Sequence, residues 1–134
     1  MREILFKAKR IDNGEWVEGD LVHSVYKIND TCVGKYGSDV GMHQVDENTI
    51  CQYTGLKDKN GCKIWEGDVV ERVDRRNGLY VFREQPKMNC KVVWTDRHGY
   101  DTEPSCGYFD KKNALECEVI GNRFDQGSEL LNGN

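Results

Sequence analysis

The stretch "TDRHGYD" sets Asp96, His98, Tyr100 and Asp101 close together in the chain. A carboxylate, an imidazole and a phenol at that spacing are the types a proton relay needs. A solvated polar loop joining two strands accounts for the same residues more simply, because no nucleophile or metal motif accompanies them. His23 and His43 stand far away in sequence and belong to no ligand pattern. "KYGSDVG" at 35–41 holds glycines near a lysine but lacks the order of a phosphate-binding loop and its following helix. Cysteines 32, 51, 62, 90, 106 and 117 show no C-x-x-C spacing. Cys90 in "CKVVW" and Cys117 in "ECEVI" lie in apolar stretches, where a thiol acts as a small hydrophobe, so reduced and mostly structural cysteines are expected. The reading is a non-enzymatic chain with no catalytic residue, no metal site and no cofactor.

Two patterns carry more. Residues 72–91 hold Arg72, Arg75, Arg76, Arg83, Lys87 and Lys91 against Asp74 and Glu84, a local balance of +4, with Tyr80 and Phe82 between them. Basic side chains interleaved with aromatics can follow a nucleic-acid backbone and stack its bases, which makes Arg72, Arg75, Arg76, Tyr80, Arg83 and Lys87 candidate contacts. Basic residues also protect exposed strand edges, so nucleic-acid binding ranks below a protein-interaction role. The second pattern is a near-repeat, "WVEGDLV" at 16–22 and "IWEGDVV" at 64–70. Glycine within a strand pattern marks a bulge or bend, and the following aspartate can fix it by taking a nearby backbone N–H. Gly19 with Asp20, and Gly67 with Asp68, are therefore expected as structural bends. Two carboxylates around a glycine are too few to hold a metal by themselves.

Composition bounds the rest. A chain of 134 residues fits one ordinary domain or two very small ones. Lys plus Arg is 19 against 23 for Asp plus Glu, and the net charge of -4 gives no general attraction for a polyanion. The opening "MREILFKAKR" carries charges inside its short apolar stretch, and no run approaches a membrane span. A cytoplasmic protein that neither crosses nor binds a membrane is expected.

Apolar runs of four to eight residues between glycines predict strands at 4–8, 15–22, 25–28, 49–55, 68–73, 79–82, 91–95 and 117–121. Asn13-Gly14, Asn60-Gly61 and Asn77-Gly78 predict hairpin turns. Helix is confined to "KKNALE" at 111–116 and the tail "DQGSELL" at 125–131, and the Gly-rich stretch 30–48 reads as a polar loop. The expected architecture is mostly β with little helix. An N-terminal β subdomain spans 1–55, and an SH3-like small β-barrel or roll with a short tail spans 56–134.

At "VDENTICQYTGLKDKNGCKIWEGDVV", residues 45–70, the chain resembles the YopX family of phage and prophage proteins. "REILFKAKRIDNGEWVEGDLV" at 2–22 and "CEVIGNRFDQGSELL" at 117–131 resemble the family's two ends, while about 71–113 falls where the family varies. The resemblance implies a mostly β protein with an SH3-type barrel, encoded by phages or prophages of bacteria, of no known activity and homo-oligomeric; with no catalytic constellation in the sequence, the expected partners are the chain itself and a phage or host protein. It implies no catalytic residues. Cys51 and Cys62 depart from the pattern, as does "DQGSELL", where a proline commonly precedes Glu-Leu-Leu.

Overall fold

The structure, a computed structural model, describes residues 4–23, 31–34, 41–73, 87–97, 99–105 and 109–125. Two compact units divide the chain, 1–53 and 54–134. The first holds β1 (Phe6–Lys9), β2 (Trp16–His23), β3 (Thr31–Gly34), β4 (Met42–Gln44), a 3-10 turn at Glu47–Thr49 and the start of β5 (Cys51–Lys57). Its strand order is β4-β3-β2-β1-β5. Alternation along β1 and β2 turns Ala8, Val17 and Leu21 inward, where they pack with Val33, Val45 and Ile50. The Asn13-Gly14 turn joins β1 to β2, with Gly14 N–H donating to the Arg10 carbonyl at 2.9 Å.

β2 changes partners half-way. Residues 16–19 pair with β1, and residues 20–23 pair with β3. At the change, a Cβ on Gly19 would overlap the Gly34 carbonyl, and one on Gly34 would overlap the Gly41 carbonyl. Both glycines also have φ angles, 153° and 159°, that L side chains rarely adopt. Three strands thus meet backbone to backbone where only glycine fits.

The second unit holds the remainder of β5, β6 (Lys63–Trp65), β7 (Asp68–Val73), β8 (Lys87–Thr95), β9 (Gly99–Glu103), α1 (Lys111–Ala114) and β10 (Glu118–Asn122). The end of β5 pairs with β6, and a four-stranded sheet runs β10-β7-β8-β9. Ile64, Val70, Cys90, Val92, Tyr100, Phe109, Ala114 and Cys117 form its core. Asp110 caps α1 by accepting the Asn113 N–H at 2.9 Å.

Two buried carboxylates tie this unit's turns to its strands. Asp58 accepts N–H groups from Asn60 and Cys62 on Oδ1 and from Val119 on Oδ2, each at 2.9 Å. Asp68 accepts the Trp65 N–H on Oδ2 at 2.8 Å and the Asn122 amide on Oδ1 at 3.1 Å. Between β6 and β7 the chain turns at Glu66-Gly67, where Gly67 has φ 88° and its N–H donates to Val92 across the unit.

Several expectations need correction. The strands lie in antiparallel sheets and not in one closed barrel. β3 and β4 occupy part of the expected loop 30–48. β3 buries Thr31, Val33 and Gly34, of which only Val33 has an apolar side chain, so no alternation is visible in sequence. "TDRHGYD" is not all loop, since Gly99 begins β9, in which buried Tyr100 and Thr102 alternate with part-buried Asp101 and exposed Glu103. The strands expected at 25–28 and 79–82, the Asn77-Gly78 turn and the tail from 126 onward lie outside the described residues.

The glycine crossing predicts unequal costs. Gly34→Ala should lower unfolding free energy by about 3 kcal/mol or more, because strands must separate to admit a methyl group. Gly14→Ala, where a Cβ meets nothing, should cost about 1 kcal/mol of backbone strain alone. Urea denaturation of the two variants checks the order.

Candidate interaction groove

Lys9, Arg10 and Ile11 leave β1 towards the Asn13-Gly14 turn, and there they meet the end of β4. Ile11 N–H donates to the Gln44 carbonyl at 3.0 Å, Asp46 N–H donates to the Lys9 carbonyl at 2.9 Å, and Arg10 bridges Val45. The first unit's meander is thereby tied back on itself. Along this seam lies a cleft of about 470 Å³ lined by Lys9, Arg10, Ile11, Gly14, Val45 and residues 46–48. A second cleft of about 220 Å³, lined by residues 10–12 and 42–44, shares Arg10 and Ile11 with the first.

The walls of the 470 Å³ cleft carry opposite charges, Lys9 and Arg10 on the β1 side and Asp46 and Glu47 on the other. Local bonds hold these groups in place. The Arg10 guanidinium donates from Nε to Asp12 Oδ1 at 2.9 Å and from Nη2 to Oδ2 at 2.6 Å, a two-pronged ion pair. Asp46 accepts the Asn48 N–H at 3.0 Å, and Glu47 accepts the buried Thr31 hydroxyl. Ile11, shared by both clefts, is 59% exposed. An apolar anchor between charged walls of fixed geometry can seat another chain.

The residues singled out from the sequence fall elsewhere. Arg72 is buried on β7, where Nη1 donates to Thr102 Oγ1 at 2.8 Å and lies 3.9 Å from Asp101, and the guanidinium carbon stands 5.3 Å from the centre of the Phe109 ring. A phosphate in solvent cannot reach it. Lys87 is exposed and lies 4.0 Å from Glu71. Arg75, Arg76, Tyr80 and Arg83 lie outside the described residues, as does His98. Asp96 is exposed in a turn, Tyr100 is buried edge-on to Trp94 with centroids 5.0 Å apart, and Asp101 accepts the Thr102 N–H. Neighbouring residues of a strand point to opposite faces, so Tyr100 and Asp101 do not converge. Gly19 and Asp20 lie inside β2, whereas Gly67 closes the β6–β7 turn and Asp68 begins β7.

Of the described cysteines, Cys51, Cys90 and Cys117 are buried, Cys32 is part-buried and Cys62 is exposed. Among the described residues no group of three or more His, Cys, Asp or Glu is placed to hold a metal ion. No helix among them is long and apolar enough to cross a membrane. The groove escaped sequence reading because 42–48 read as loop and Lys9, Arg10 and Asp12 read as ordinary solvated charges. The available signal was Ile11, a large apolar residue between charges just before a tight turn.

A family model described as YopX protein matches residues 5–132. The chain belongs to the YopX family. A solved structure described as protein EF1440 from Enterococcus faecalis is similar to this YopX chain, at 22% identity and a TM-score of 0.61. The likeness covers 97% of this chain and 99% of that one, and at such identity it speaks for the fold. Comparison with curated proteins finds no match.

The Arg10 pair gives a titration test. The guanidinium's hydrogen bonds hold the Asp12 carboxyl below the usual carboxylate range. The pairing is therefore complete above the ordinary carboxylate pKa and is lost as pH falls through the lowered value. In an Arg10→Gln protein the Asp12 carboxyl resonance should titrate at higher pH than in the parent, as followed by carbon NMR.

Proposed function

We propose that this YopX-family chain is a non-enzymatic interaction module of a phage or prophage, acting in the cytoplasm of a bacterial host. Its groove seats another protein chain, first of all a second copy of itself, and then a phage or host protein. The observation behind this reading is the exposed Ile11 set between a basic and an acidic wall. A two-fold axis through such a groove sets the Lys9–Arg10 wall of one copy against the Asp46–Glu47 wall of the other, so one patch complements itself. An apolar anchor ringed by charge is also how many interfaces concentrate their binding energy.

We read the second unit as an SH3-like roll. Lys59 N–H donates to Cys117 at 3.0 Å and Asp58 takes the Val119 N–H, which lays the β5–β6 turn along the outer edge of β10. Such small barrels commonly present loops and edges to partners.

Light scattering coupled to size-exclusion chromatography tests the reading. The parent should gain mass with concentration, and Ile11→Glu should stay monomeric while melting within about 0.5 kcal/mol of the parent. A strict monomer at every concentration would sink the self-association.

A further inference from the structure

In the β1–β2 turn, Glu15 engages both ends of the Asn13 side-chain amide. Asn13 Oδ1 accepts the Glu15 N–H at 2.9 Å, and Asn13 Nδ2 donates to Glu15 Oε2 at 3.3 Å. Gly14 follows at φ 72° with no side chain to crowd its nitrogen, which donates to the Arg10 carbonyl at 2.9 Å. Residues 11–15 are exposed, and among the described residues 12–15 bond only within the turn, to residues 10–15.

We propose that Asn13 is a self-modifying site, converted through a cyclic imide to aspartate or isoaspartate with water as the co-reactant. The Gly14 nitrogen loses its proton to water and bonds to Asn13 Cγ. The Cγ–Nδ2 bond breaks, and Nδ2 takes a proton from water and leaves as ammonia. Water then opens the imide, giving aspartate where the Gly14 N–Cγ bond breaks and isoaspartate where the bond from Gly14 N to the Asn13 backbone carbon breaks. The Glu15 N–H singles this residue out. It points at the oxygen on which negative charge develops as Cγ becomes tetrahedral, as a backbone donor does in an oxyanion hole. At Asn60-Gly61 the glycine N–H likewise donates to a carbonyl, that of Asp58, but the buried Asp58 side chain also holds the Asn60 and Cys62 N–H groups. Ring closure there must pull the turn off that carboxyl. Either product at position 13 sets a new carboxylate between Asp12 and Glu15 and removes the Nδ2 donor. Isoaspartate also adds a methylene to the chain between β1 and β2, beside Arg10, Ile11 and Gly14, which line the groove. The modification does not rest on the groove's seating a partner.

Incubation of the full chain at mildly alkaline pH, followed by peptide mapping with mass spectrometry, tests it. Acid product should build up at Asn13 about tenfold or more faster than at Asn60, the factor set by a hydrogen bond to a carboxyl that the Asn60 turn must give up. In urea, where both turns are lost, the two rates should converge. Asn13→Gln, which would have to close a larger ring, should lose the early acidic form that anion exchange separates from the parent. Equal rates at Asn13 and Asn60 in the folded chain would overturn the proposal. So would a preference for Asn13 that urea leaves intact, or an early acidic form that persists in the Asn13→Gln protein.

Discussion

The second unit is organised around backbone N–H groups that its short strands cannot satisfy by pairing. A buried N–H without an acceptor costs about 1–3 kcal/mol, and tight turns between strands of three to six residues leave several. Asp58 and Asp68 remove that cost with carboxylates 1% and 2% exposed. One Asp58 oxygen holds the turn after β5, while the other reaches Val119, 61 residues on. Asp68 closes the turn before β7 through Trp65 and draws in Asn122, whose side-chain Oδ1 takes the Phe124 N–H at 2.9 Å. Sheet, turn and C-terminal strand are thus held by side-chain oxygens that accept N–H groups, and no chemistry on a ligand is needed to explain their burial.

The first unit solves a different problem with the same letters. "EGD" at 18–20 lies within β2, where Gly19 lets β3 approach without a Cβ between them. "EGD" at 66–68 is a turn running into β7, where Gly67 supplies the positive φ and Asp68, the first residue of the strand, the acceptor. What separates them is the residues ahead of each. Trp16 stands across from Lys9 in a continuing ladder, whereas Trp65 is the last residue of β6 and is buried. A repeated phrase therefore marks a repeated backbone need, close approach or reversal, and its neighbours decide which.

This explains where sequence reasoning reached. The Asn13-Gly14 and Asn60-Gly61 turns, the strands β1, β2, β5 and β7, the short helix after Asp110 and the mostly β class were legible because each depends on local chemistry. β3 and β9 were not, because their buried positions include Thr31, Gly34 and Thr102, whose burial depends on partners far along the chain. Arg72 shows the same limit from the other side. Its charge suggested a surface contact, but alternation along β7 puts it on the face of Val70, where Thr102 and Phe109 receive it. The groove was hidden because it forms only when the end of β1 meets residues separated from it by two further strands.

The β1–β2 hairpin shows how little chain is needed to divide tasks. Ala8, between Lys7 and Lys9, faces the core and has no measurable exposure, so the lysines on either side of it must face outward together. Their spacing from each other and from Trp16 follows from the register and not from any side-chain preference. Where β1 ends, the Arg10–Val45 bridge turns the same strand into the wall of a groove. A shift of one residue in the β1–β2 register would bury the lysines and expose Ala8 and Val17. The core is therefore what keeps both surfaces in place, and a substitution such as Ala8→Lys would scramble them together.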